Sequence, residues 1–193
     1  HAAVQTPSYL QSVKIPAQYF KSKKFEAFVN DITKKYFNAD ELVEKISNYQ
    51  IFLNKEKINS LRLDANSVAQ KIADEVLNFD GIYKSVTART LQTTTFTNGI
   101  LNSLQHGYNQ KYSGDVLLIP NPSTISYGKK GTTHGSGYSY DTHIPVIFYG
   151  NGIKKGTSKR KYEIIDIAPT IANILQIEFP NGSTGKIIDE VLK

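Results

Sequence analysis

The chain has 193 residues, 39% of them hydrophobic and 21% charged, with a formal net charge of +6 and no cysteine, methionine or tryptophan. That composition supplies enough apolar side chain for a core and too little charge for wholesale disorder. It excludes disulfides and thiolate metal ligands, and no apolar run nears the roughly 18 residues of a membrane span.

Residues 1–22 read as a loop, with Pro7 and Pro16 as breakers. Phe25, Phe28, Val29, Ile32 and Tyr36 recur at helical spacing and predict an amphipathic helix over 23–37. Asp40 is placed to cap a short second helix carrying Leu42, Val43 and Ile46. Tyr49–Leu53 is a compact apolar run and reads as a strand. Asn66 would cap a helix across 67–78, with Val68, Ile72, Val76 and Leu77 on one face. Asp80-Gly81 marks a turn before a strand, Ile82–Thr87.

A further helix carries Ile100, Leu101, Leu104 and Tyr108, with His106 near its C-terminus. Gly114-Asp115 introduces the strand Val116–Ile119, which Pro120 and Pro122 end. The span 123–143 is a loop rich in Gly, Ser, Thr and Tyr, and Ile144–Tyr149 comes next as a strand. The last helix runs from Asp166, as N-cap, to Leu175, with Pro169 in its first turn. Strands alternating with helices predict an α/β layered architecture, with an α+β excursion around residues 20–90.

Two basic clusters stand out: Lys21, Lys23, Lys24, and Lys154, Lys155, Lys159, Arg160, Lys161. Neither is interleaved with stacking aromatics as single-strand binders require, so a solvated surface is expected and nucleic-acid binding ranks last. Of the four histidines, His106 reads as a surface residue at a helix end. His134 and His143 differ because a 21-residue loop without regular structure tends to be functional. Neutral imidazole is a good zinc ligand, which neighbouring hydroxyls or carboxylates can orient. No His-x-His or His-x3-His pair is present, so the spacing by itself does not define a metal site.

The segment His134-Gly-Ser-Gly-Tyr-Ser-Tyr-Asp-Thr-His-Ile-Pro-Val-Ile-Phe-Tyr-Gly150 resembles the C-terminal signature of bacterial phosphate-irrepressible alkaline phosphatases. These belong to the type I phosphodiesterase and nucleotide pyrophosphatase branch of the alkaline phosphatase superfamily. Asp166-Ile-Ala-Pro-Thr-Ile-Ala-Asn-Ile-Leu175 is similar to a late helix of that superfamily, and Pro180-Asn-Gly-Ser-Thr-Gly185 to the turn after it. His1-Ala-Ala-Val-Gln-Thr-Pro-Ser-Tyr-Leu10 resembles the stretch immediately after the aspartate of the family's Asp-His ligand pair.

The resemblance implies the C-terminal part of a three-layer fold. Residues 1–193 would be a portion of a metallophosphoesterase catalytic domain, with 110–193 holding scaffold strands, the metal-site loop and the late helix. It also implies a two-zinc centre with a threonine nucleophile upstream of His1. His1 would ligate the zinc that activates the nucleophile, and His134 the zinc at the leaving-group oxygen. Tyr140, Asp141 and His143 would fix the loop behind the ligands rather than ligate.

The implied activity is an alkaline phosphatase-type phosphomonoesterase acting on a phosphate ester. A phosphodiesterase or nucleotide pyrophosphatase, or a non-catalytic binding module, is the alternative. The chain alone is expected to be inactive, its partner the missing N-terminal portion of the same protein and its location periplasmic or secreted.

Overall fold

A computed structural model describes residues 3–128 and 131–192. The expected metal ligand His1 lies outside the described residues. The chain divides into two units, His1–Ile144 and Pro145–Lys193.

The first unit begins with α1 (Pro7–Ser12), where a loop was expected. Pro7 stands at the first helical position, where its missing N–H costs nothing, and the Thr6 hydroxyl accepts the N–H of Tyr9. β1 (Gln18–Tyr19) leads into α2 (Ser22–Phe37), which turns Phe25, Val29 and Ile32 inward and ends on Asn38 in the left-handed region. β2 (Val43–Ser47) replaces the helix expected after Asp40. It pairs antiparallel with β3 (Gln50–Leu53) across a two-residue turn. Val43 and Ile46 are β-branched, and hairpin pairing outweighs a capping signal that has too few residues after it to use.

The chain continues through α3 (Lys55–Ser60) and α4 (Ala65–Glu75). The cap of α4 is Asp64, not Asn66: its carboxylate accepts both the N–H and the hydroxyl of Ser67. A 3-10 turn at Val76–Asn78 completes the expected helical stretch. β4 (Ile82–Thr87), α5 (Ala88–Thr93) and α6 (Gly99–Gly107) precede β5 (Val116–Pro120). The sheet order is β2-β3-β5-β4, all antiparallel. A short β6 (Thr124–Ile125) pairs in parallel with β1.

All five residues of β5 are buried because both faces of the sheet are covered. Val116 and Leu118 join Phe25, Ile51, Ile72 and Val76 in the main core under α2 and α4. Leu117 points the other way, to Val86, Leu91 and the inner side of α6. Full burial of each such side chain stabilises by about 1.5–3 kcal/mol. Phe20, Phe25 and Phe79 pack as tilted and edge-on rings 5.0–5.9 Å apart, closing the end of this core nearest β1. Val4, Leu10 and Ile125 form a separate cluster with Tyr19 and Tyr140, which seats the N-terminal segment against β6.

At the boundary with the second unit, Ile144–Tyr149 was expected to be a strand, but it is neither strand nor helix and has no strand partner among the described residues. The 3-10 turn Ile164–Asp166 leads into α8 (Ile167–Leu175). Asp166 occupies the N-cap position without bonding forward into the helix. Its carboxylate instead accepts the N–H of Glu163 and that of Lys186, tying the turn before the helix to the segment after it. Thr170 is fully buried; its hydroxyl donates to the Asp166 carbonyl and accepts the N–H of Ile188 at 2.9 Å. Gly185 passes so close to Ile165 that a Cβ there would lie 2.1 Å from the Ile165 carbonyl oxygen.

Candidate functional site

The loop from Gly131 carries His134 and Asp141 and includes α7 (Ser139–Thr142), a single turn. The loop lacks regular backbone pairing, so side chains fix it. One carboxylate oxygen of Asp141 accepts the N–H of Gly135 at 3.1 Å, the N–H of Ser136 at 2.7 Å and the hydroxyl of Ser136 at 2.6 Å. Three donors on one ionised oxygen make a strong clamp, since hydrogen bonds to charged acceptors are roughly twice as strong as neutral ones. The clamp holds the two residues after His134, whose own side chain is exposed.

Two tyrosines anchor the loop to the sheet. The Tyr138 hydroxyl donates to the Pro120 carbonyl at 2.9 Å, and the Tyr140 hydroxyl accepts the N–H of Ser123 at 2.9 Å. Their rings stack 5.5 Å apart. Both anchor points lie at or just past the end of β5, where loops commonly build sites. Gly137 lies against α6: a Cβ there would come 2.9 Å from Ile100 Cγ2. On the other side, the Thr132 hydroxyl donates to the Val4 carbonyl. That bond joins a residue two positions before His134 to one three positions after His1.

His134, Tyr140 and Asp141 share the lining of one cavity of about 410 Å³ with Tyr49 and Thr124. His143 is not part of that lining; it is exposed and stands after α7 as its C-cap. The Tyr49 hydroxyl is pushed up to about 12, mainly by burial and then by the nearby Tyr140 and Asp141. Burial likewise raises Tyr138 above its usual value. Two buried polar side-chain atoms have no hydrogen-bond partner among the described residues, the second oxygen of Asp141 and the hydroxyl of Thr124. His106 stays a surface residue, its Nδ1 2.8 Å from the Asn102 carbonyl within α6.

Among the described residues no three His, Asp or Glu side chains gather to hold a metal ion. What they offer is one exposed imidazole on a clamped loop beside an unpartnered carboxylate oxygen. This fits a contribution to a metal site that further ligands complete, since tight sites want three or four protein ligands. No described helix is long and apolar enough to cross a membrane. Ser136 and Tyr138 stand within the 134–150 signature, whereas Thr132, Thr124 and Tyr49 carry no sequence signal of their own.

No family model matches the chain. Along its whole length it is 33% identical to the alkaline phosphatase PafA of Elizabethkingia meningoseptica and covers 35% of that protein. It is 36% identical to a protein of Myroides odoratus named calcium-transporting ATPase, covering 36% of it. It is 31% identical to the alkaline phosphatase PhoV of Synechococcus elongatus, covering 34% of it. The crystal structure of wild-type PafA superimposes with a TM-score of 0.88 at 33% identity, over 99% of this chain and 36% of that one. The chain thus spans about a third of the length of these relatives. In sequence from end to end and in its mixed helix-and-sheet fold, it is a homologue of the PafA and PhoV alkaline phosphatases.

Proposed function

We propose that this chain supplies part of the active site of a zinc-dependent phosphomonoesterase of the alkaline phosphatase type. The observation that carries the reading is an exposed His134 on a loop clamped by Asp141, in a chain similar throughout to alkaline phosphatases. His134 would hold the zinc at the leaving-group oxygen, and His1 the zinc at a threonine nucleophile upstream. When bound, such a metal pair clamps the attacking and leaving oxygens of an in-line displacement.

The chain's own residues do three things in this reading. His134 donates a ring nitrogen, Asp141 and Ser136 hold the backbone that carries it, and Tyr138 and Tyr140 fix that backbone to the sheet. Asp141 and Tyr140 thus act behind the ligand, and His143, exposed after α7, would cap the same loop. The partner is the remaining length seen in the relatives, and the location is periplasmic or secreted. The 193 residues alone are inactive, having neither nucleophile nor a full ligand set.

The test assays the whole, zinc-loaded protein against p-nitrophenyl phosphate and bis-p-nitrophenyl phosphate. Expected is preferential monoester hydrolysis, abolished by a chelator and restored by zinc. Loss of groups that merely orient a ligand costs about 10–100-fold, so His134→Ala should lower kcat/KM by roughly 100-fold or more. Preference for the diester would point to a phosphodiesterase or nucleotide pyrophosphatase. Unchanged monoesterase activity in His134→Ala would defeat the assignment.

A further inference from the structure

The loop that carries His134 leans on a part of the molecule that has no chemistry of its own. Gly137 does not have a positive φ, so its backbone would accept other residues. Space alone demands glycine there: a Cβ would come 2.9 Å from Ile100 Cγ2 and 3.2 Å from Ile100 Cγ1. Ordinary carbon contacts lie at about 3.5–4.0 Å, so a side chain at this position would displace the loop or Ile100 by about 0.6–1.1 Å. Ile100 is β-branched and stands in the first turn of α6, where one χ1 rotamer strongly dominates. It yields poorly, and the loop is the part that moves.

One amide ties α6 down. Gln105 Oε1 accepts the N–H of Phe96 at 3.0 Å, and its Nε2 donates to the carbonyls of Leu91 and Thr94, both at 2.6 Å. All three partners are backbone groups of the end of α5 and the loop after it. A helix leaves its last carbonyls without internal partners, and Gln105 takes up that of Leu91. The start of α5 is fixed to the sheet, with the Ala88 N–H donating to the Asp115 carbonyl at 2.8 Å and the Thr87 hydroxyl accepting the N–H of Thr90. Gln92 adds a second tie, donating to the Tyr108 hydroxyl at 2.7 Å. A continuous path therefore runs from the sheet through α5, Gln105, α6 and Ile100 to Gly137.

We propose that α6 is a stop that sets the position of the His134 loop, and that Gln105 is the positioning residue that holds the stop. In this role Gln105 touches neither metal nor substrate; it acts through Ile100 and Gly137 on the residues that follow His134. The bonds of Asp141 to Gly135 and Ser136 shape the loop, and the contact with Ile100 limits how near it comes to α6. Groups that build a site must be held within about 0.5 Å, less than the shift that one methyl group at position 137 imposes. The inference rests on the zinc reading for what the position serves, but not for the order of the loop itself.

Two measurements on the whole protein test it: amide exchange without metal, and zinc affinity by chelator competition. Gly137→Ala should speed exchange at Gly135 and Ser136 by about tenfold or more. It should weaken zinc binding about tenfold, the low end for groups that orient a ligand. Exchange at Val116–Ile119 should not change, which separates a displaced loop from a loosened fold. Adding Ile100→Ala to Gly137→Ala removes the obstacle and should restore most of the lost affinity. Gln105→Leu keeps the bulk but loses all three hydrogen bonds, and should shift both readouts in the same direction as Gly137→Ala. Should it fail to fold by circular dichroism, Gln105→Glu, which keeps the Phe96 bond and loses both donors, takes its place. Unchanged loop exchange in Gly137→Ala, no rescue by Ile100→Ala, or a folded Gln105 variant with both readouts unchanged overturns the proposal. If His134→Ala leaves zinc affinity intact, the zinc reading fails and loop exchange still decides this inference. If His134→Ala loses zinc while Gly137→Ala does not, this inference alone fails.

Discussion

Asp141 and Thr170 show what single side chains do in loops that lack backbone pairing. Asp141 stabilises one conformation of the residues after His134 by three hydrogen bonds to one oxygen. Asp141→Ala removes all three, and the imidazole is then no longer presented in one place. The expected result is a fall of about 10–100-fold in zinc affinity of the whole protein, read by chelator competition. Asp141→Asn, which keeps one accepting oxygen, should fall between Asp141→Ala and the parent. Thr170 is a purely structural counterpart. Its hydroxyl is the acceptor for the buried N–H of Ile188, so Thr170→Val should destabilise by about 1–3 kcal/mol in urea unfolding, while Thr170→Ser should cost less. Neither partnership is legible in the sequence, because each joins residues whose proximity only the fold creates. The 123–143 span stands out in the sequence by its length and composition, and His134 by its place in a recognisable signature.

Elements are legible to the extent that a local pattern decides them. α2 and β4 emerge at nearly their expected bounds because periodicity, turn residues and burial all agree. β2 does not, since Asp40 and the apolar residues after it satisfy a helix pattern and a hairpin equally, and pairing with β3 decides. The cap of α4 is ambiguous between Asp64 and Asn66 for the same reason, and only the bond to Ser67 distinguishes them.

The turn at Glu163–Asp166 makes an element-scale prediction. The Asp166 carboxyl is held below its ordinary value of 3.8, chiefly by the N–H of Glu163 and then by that of Lys186. A carboxylate whose folded value is depressed contributes stability above its unfolded value, and that contribution is lost as pH falls through the lower folded value. Stability should therefore decline below about pH 4 as this turn loosens. Asp166→Asn should be less stable near neutrality and show a shallower decline between about pH 5 and pH 3 in denaturant titrations.

At the scale of the molecule, the second unit leaves its apolar residues uncovered. Ile147 is 84% exposed, Tyr149 100% and Ile164 76%, and Leu175, Ile177 and Phe179 are more than half exposed. A groove of about 400 Å³ runs among Val146, Phe148, Ile171 and Ile174. Soluble proteins rarely expose so much contiguous apolar surface without a partner for it. The composition of Ile144–Tyr149 is that of a central strand, apolar at nearly every position, yet its backbone has no partner among the described residues. An unpaired run of strand-forming apolar residues is a template for strand addition. The sequence expects a strand here from apolar composition alone, and the structure has none among the described residues. In the relatives, nearly two thirds of the length lies outside the part this chain matches, and we expect a strand from that length to pair with Pro145–Tyr149. The 193 residues alone should then bind a dye specific for exposed apolar surface and self-associate at micromolar concentration. Co-expression with the remaining polypeptide should abolish both, and it should slow amide exchange at Val146–Phe148 by at least about tenfold. A monomeric, dye-silent chain with those amides already protected would show that the surface is covered from within.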